Sequence, residues 1–131
     1  MNYSIQVSVG DSGGDGHGRR VLYDVVANRE AKALQALLGQ VHAAYPIFAG
    51  SFCSDDYDSL SQPLIDEIQA TGLNIADYAT SYDDLWYLDD PLPFLRLTMD
   101  LVRTLDPEFR WELAPSTSAS GYVDIDGYGL V

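Results

Sequence analysis

The residues of this chain whose types and spacing could do chemistry lie in one glycine-rich stretch and three carboxylate clusters. The stretch Asp11-Ser12-Gly13-Gly14-Asp15-Gly16-His17-Gly18-Arg19-Arg20 could form a nest of backbone N–H groups around an anion, with Arg19 and Arg20 close by. Phosphate-binding glycine loops, however, run from a strand into a helix N-terminus, and the sequence contains neither GxGxxG nor GxxxxGK[ST]. As a calcium loop, Asp11, Asp15 and Gly16 match the first, fifth and sixth positions of an EF-hand. Gly13 and Leu22 then stand where oxygen ligands are required. The tip of a hairpin accounts for the segment better.

The clusters Asp55-Asp56-Tyr57-Asp58, Asp83-Asp84 and Asp124-Ile125-Asp126 could hold a divalent cation or serve hydrolysis. The last would place both carboxylates on one strand face, ~7 Å apart. Charges at such a position more often block edge pairing. His17 and His42 belong to no ligand-spaced motif, and His42 reads as a boundary residue of a helix. Cys53 follows Phe52 in an apolar patch and reads as a small core side chain rather than a nucleophile. The one GxSxG match, Gly10-Asp11-Ser12-Gly13-Gly14, joins two expected strands rather than a strand and a helix, so it is not a nucleophile elbow, and there is no HExxH helix. No catalytic residue, metal site or cofactor is therefore expected.

Charge is distributed unevenly. Between Lys32 and Arg96 there is no Lys or Arg, yet this stretch contains Asp55, Asp56, Asp58, Asp66, Glu67, Asp77, Asp83, Asp84, Asp89 and Asp90. Residues 1–54 balance four acids with four bases, so the formal charge of −13 belongs to the C-terminal part. A field of one sign repels nucleic acid and anionic membrane and attracts a basic surface. Aromatics are interleaved with these acids: Tyr57 among Asp55, Asp56 and Asp58, Tyr78 after Asp77, and Tyr82, Trp86 and Tyr87 among Asp83, Asp84, Asp89 and Asp90. Some of these aromatics must serve the core, with the acids as a solvated rim. The density over residues 82–90 exceeds what a rim requires. Aromatics supply contact area at low entropic cost, and acids steer and pair with a partner's Arg and Lys.

Only certain elements could position such a surface. At 131 residues and 47% hydrophobic content, the chain suits a single domain, residues 1–131, with its own core. Tyr3, Ile5, Val7 and Val9 alternate with polar residues, as do Val21, Tyr23 and Val25, which predicts a hairpin of residues 3–9 and 20–27. Leu34, Leu37, Leu38, Val41 and Tyr45 predict a helix from Arg29, capped by Asn28 and ended by Pro46. Residues 46–60 read as irregular, followed by a short helix capped by Ser61 that buries Leu64, Ile65 and Ile68, with Gly72 at C′. Residues 74–89 suit one or two short helical turns. Asp90-Pro91 reads as the start of a helix that buries Leu95, Met99, Val102 and Leu105 and ends at Asp106-Pro107. Phe109, Trp111 and Leu113, then Val123 and Ile125, alternate as two last strands. The expected fold is α+β: an antiparallel sheet of about four strands, from N-terminal and C-terminal hairpins, covered on one face by two or three helices.

In size and charge the chain resembles small phage-type inhibitor proteins of the anti-CRISPR and anti-restriction kind, which mimic the charge of nucleic acid. That resemblance implies a non-enzymatic binding protein occupying a basic, nucleic-acid-handling protein surface. No residue is carried over from it. The candidate partner-binding residues come from the acidic segment itself: Asp55, Asp56, Tyr57, Asp58, Asp77, Tyr82, Asp83, Asp84, Trp86, Tyr87, Asp89 and Asp90. Direct contact with nucleic acid or membrane is not expected, and oligomeric state is not legible. A single cysteine and an N-terminus without a basic, apolar leader point to a reducing cytoplasm. The alternatives are a metal-dependent or phosphate-handling enzyme using the loop at 10–20, and an assembly subunit whose acidity maintains solubility. Calcium, magnesium or zinc should accordingly leave the melting temperature almost unchanged. A shift equivalent to ~2.7 kcal/mol at a hundredfold excess over the dissociation constant would instead reveal a metal site.

Overall fold

The structure, a computed structural model, describes residues 2–10, 20–51, 57–78, 92–114 and 121–125. Strands β1 (Tyr3–Gly10) and β2 (Arg20–Ala27) pair antiparallel from Tyr3 opposite Ala27 to Gly10 opposite Arg20, as the alternation predicts. Ile5, Val7, Val9, Val25 and Ala27 are buried on one face. Leu22, on the other face, is exposed. The glycine-rich segment between the two strands lies outside the described residues.

The remaining strands depart from expectation. β3 (Trp111–Leu113) adds antiparallel to β2, and β4 (Gly121–Ile125) adds parallel to β1, giving the order β3-β2-β1-β4. There is no C-terminal hairpin: the last two strands lie on opposite edges of a mixed sheet, within an α+β fold. Their alternation specifies which side chains face the core, but not which neighbour supplies the hydrogen bonds. Val123 and Ile125 of β4 are buried beside Val7 and Val9 of β1.

The buried face is covered by helices. In α1 (Ala31–Ala44), Leu34, Leu38 and Val41 are buried. This helix begins two residues later than predicted, after Glu30, and has no side-chain cap. Asn28 is not its cap. Its amide donates to the Glu108 carbonyl (2.7 Å) and accepts from the Arg110 N–H (2.8 Å), committing it to β3 instead. Pro46 does not lead into an irregular stretch. It opens a second helix, α2 (Pro46–Ser51), as proline at a first helical position can. The Ile47 and Phe48 N–H groups of α2 donate to the Glu67 carboxylate at 3.1 and 2.8 Å, which satisfies orphan donors with a charge that the helix dipole favours.

Helix α3 (Tyr57–Gln69) starts a full turn before Ser61, with Pro63 inside it. Pro63 lies two positions after Ser61, and the structure carries the helix through it at the expense of one backbone bond. Leu64 and Ile68 are buried and Ile65 packs beside them, as their spacing requires. Gly72 follows with φ +91°, a left-handed conformation suited to glycine. A 3-10 turn (Ile75–Asp77) has its N-terminus capped by Asn74, whose side chain accepts from the Ala76 N–H at 3.1 Å. Helix α4 (Leu92–Leu105) buries Phe94, Leu95, Leu97, Thr98, Met99, Leu101 and Val102 and ends before Asp106-Pro107. Phe94 stacks on Phe48 with ring centroids 5.3 Å apart. Phe52, Cys53 and the proposed Asp90-Pro91 start lie outside the described residues. Among the described residues no helix is long and apolar enough to cross a membrane.

Strand β4 approaches α1 so closely at Gly121 that an added Cβ would meet the Ala31 Cβ at 2.6 Å. Gly121→Ala should therefore destabilise the protein by about 1–3 kcal/mol. Ala31→Gly in the same chain should recover part of that loss. Denaturant unfolding of the two variants and the double variant measures the coupling, and strict additivity would refute the contact.

Candidate partner-binding surface

The acidic segment is partly visible. Tyr57 and Asp58 occupy the first turn of α3, and Asp77 closes the 3-10 turn, exposed. Asp55, Asp56, Tyr82, Asp83, Asp84, Trp86, Tyr87, Asp89 and Asp90 lie outside the described residues. Leu64, Ile68 and Ile75 are buried, so α3 and the 3-10 turn are anchored by their apolar side. Exposed carboxylates, including Asp66 and Asp77, occupy the other side.

These acids have different uses. Glu67 is structural, as the cap of α2. Asp66 accepts from the Gln62 side chain one turn earlier, at 2.8 Å. The Asp77 carboxylate has no partner among the described residues. The ion pairs among them are Arg29–Asp106 (3.0 Å) and Arg103–Asp100 (3.7 Å), and neither involves an acid from residues 55–90. Arg110 is likewise occupied, donating to the Pro107 and Phe109 carbonyls at 2.7 and 2.8 Å.

Asp77 borders a groove of about 540 Å³ between the 3-10 turn, α4 and the edge strand β3. Arg96, Asp100 and Arg103 recur at i, i+4 and i+7 on α4, so one helix face presents all three. The Tyr78 hydroxyl donates to Asp100 at 2.6 Å, and Trp111, Glu112 and Leu113 supply the opposite wall. Arg96 is exposed and unpaired among the described residues. A second hollow of about 350 Å³, lined by Asn2, Val26, Arg110, Trp111 and Glu112, lies at the same edge.

Burial holds the Tyr78 hydroxyl well above its ordinary pKa, reinforced by the hydrogen bond to Asp100 and the negative charges of Asp100 and Asp77. Arg103 acts weakly in the opposite direction. Tyr78 is thus a fixed donor at neutral pH rather than a base. The groove combines two guanidiniums, three carboxylates, a donor hydroxyl and an indole. Such a set suits recognition of a polar, charged chain. Among the described residues no group of three or more His, Cys, Asp or Glu side chains is placed to hold a metal ion.

The groove was not foreseen in the sequence. The spacing of Arg96, Asp100 and Arg103 was available there, but nothing local indicated that β3 would face them. No family model, no curated protein and no solved structure matches this chain.

The tyrosine makes a pH prediction possible. In the unfolded chain Tyr78 ionises near pH ~10, whereas in the folded chain it stays protonated to higher pH. Its contribution is therefore whole below pH ~10 and is lost as pH rises towards the folded value. The chain has nine tyrosines, so the effect must be read as a difference between variants. Stability of Tyr78→Phe should fall less steeply above pH ~10 than that of the parent. Equal slopes in denaturant unfolding across that range would contradict the assignment.

Proposed function

We propose that this protein is a non-enzymatic binding protein that uses the acidic segment 55–90 to occupy a basic, nucleic-acid-handling protein surface. The segment contains ten carboxylates and no Lys or Arg. The observation that carries the reading is the disposal of the cations. Among the described residues Arg29 and Arg103 pair with Asp106 and Asp100, and Arg110 bonds backbone carbonyls. None of these three pairs with an acid of residues 55–90, and Arg96, which borders the same groove as Asp77, forms no ion pair among the described residues. The ten carboxylates of the segment therefore keep a negative field for an external partner. The interleaved Tyr57, Tyr82, Trp86 and Tyr87 would add contact area once long-range attraction has brought the surfaces together. Likeness in size and charge to phage-type inhibitors that mimic nucleic acid supports the same class of partner in a reducing cytoplasm.

Electrostatic attraction is screened over ~8 Å at physiological ionic strength, so the association rate with the partner should fall steeply as salt is raised. An on-rate indifferent to salt would remove the steering argument. Affinity capture from the native host identifies the partner. Replacing Asp83, Asp84 and Asp89 with Asn removes like charges and should leave the fold intact, while binding weakens by ~2–5 kcal/mol if those groups are paired at a buried interface. Asp90 is replaced separately, because a lost helix cap costs about 1 kcal/mol of stability by itself. A triple variant that binds as well as the parent would place the interface elsewhere.

A further inference from the structure

The pairing of β3 leaves specific backbone groups unused. Ala114 N–H donates to the Asp24 carbonyl (2.8 Å) and Asn28 N–H to the Arg110 carbonyl (3.0 Å), which marks those two pairs as hydrogen-bonded. Antiparallel pairs alternate between bonded and non-bonded, so Val26–Glu112 is bonded, whereas Val25–Leu113 and Ala27–Trp111 are not. The N–H and C=O groups of Trp111 and Leu113 therefore point away from β2, and no partner for them exists among the described residues.

This free edge is flanked by space on both faces of the sheet. The 540 Å³ groove lies on the helix side, and the 350 Å³ hollow is lined mainly by Asn2, Val26, Arg110 and Glu112, which share the opposite face. A strand laid ~4.8 Å from β3 would send successive side chains alternately into these two spaces. Backbone bonds along an edge, with room for alternate side chains, define strand addition.

The net charge of the whole chain, −13, selects a basic occupant. Each space has a carboxylate without a partner among the described residues, Asp77 in the groove and Glu112 beside both. Of the cations lining the two spaces, Arg103 pairs with Asp100 and Arg110 bonds backbone carbonyls, while Arg96 is exposed and unpaired among the described residues. A second copy of this chain would bring its own charge of −13 to the same edge. We infer that β3 takes an extended, basic segment of a partner protein as a fifth strand. The inference rests on the binding function proposed above and deepens it by locating where the partner's backbone docks.

The test is amide hydrogen exchange on the full chain, with an acetylated and amidated hexapeptide of alternating Lys and Thr as the probe. The Glu–Thr peptide at the same ionic strength serves as its counterpart. The Lys peptide should slow exchange at Trp111 and Leu113 by about tenfold or more at saturation, leaving the already bonded Glu112 amide unchanged. Asp77→Asn and Glu112→Gln should each weaken that binding about two- to fivefold, while Arg96→Gln leaves it equal or tighter. Leu113→Pro removes an outward donor without taking a bond from β2. A folded Leu113→Pro protein should lose the peptide; if that variant does not fold, the exchange data decide alone.

Equal protection by the Glu peptide, or weaker binding by Arg96→Gln, would assign the groove to an acidic chain and overturn the inference. Protection that grows with protein concentration and needs no peptide would overturn it in favour of self-pairing. The two proposals fail separately. Peptide protection retained when Asp83, Asp84 and Asp89 are Asn, with no effect of those changes on the native partner, removes only the acidic-segment reading. A native partner that depends on those acids yet leaves Trp111 and Leu113 exchanging freely removes only the docking edge.

Discussion

The joint between the end of β2 and the end of α4 decides where β3 lies, and the candidate surface depends on it. Strand β3 has only three paired positions, too few to specify an edge by themselves. Asn28 supplements them with its backbone N–H and both ends of its side-chain amide, which bond Glu108 and Arg110. Arg29 adds a fork to Asp106, from Nε at 3.0 Å and Nη2 at 3.2 Å. Two-point guanidinium–carboxylate contacts fix orientation as well as distance. Through this joint the chain leaving α4 is turned back beside β2, and the polar face of α4 comes to border the sheet edge.

The same joint explains why α1 lacks a side-chain cap. Asn28 could have capped a helix beginning at Arg29, but its amide bonds Glu108 and Arg110, just ahead of β3, instead. Deferring the helix start to Ala31 leaves α1 without a side-chain cap and secures β3, a trade between local and long-range hydrogen bonding. Glu67 makes a similar exchange, leaving the charged surface to close the exposed end of α2. Carboxylates in this chain are therefore not one population. Asp100, Asp106 and Glu67 hold elements together, and Asp77 borders the groove with no ion pair among the described residues.

Much of the architecture was legible because it is written locally. Alternation in β1 and β2 located both strands and the buried face, and apolar spacing located α1 and most of α4. Legibility failed where a local cue had a second use. Asn28 and Ser61 carry good capping chemistry, yet Asn28 does not cap α1 and Ser61 lies inside α3 rather than at its start. Pro46 and Pro63 look like breaks, yet one begins a helix and the other lies inside one. The acidic segment was evident from composition alone. The groove was not, because Arg96, Asp100 and Arg103 gain a partner wall only when β3 is placed.

The sequence by itself determined the class of fold, the inward faces of its elements and the sign of its field. Periodicity and charge are properties of neighbouring residues, and they survive whatever the chain does at long range. The tertiary structure alone decided that β3 and β4 occupy opposite edges, that the sheet is mixed, and that α4 shares a groove with β3. Side-chain alternation is the same whichever strand lies alongside. The choice of neighbour therefore came from contacts distant in sequence: Asn28 and Arg29 with residues 106–110, and Gly121 against Ala31.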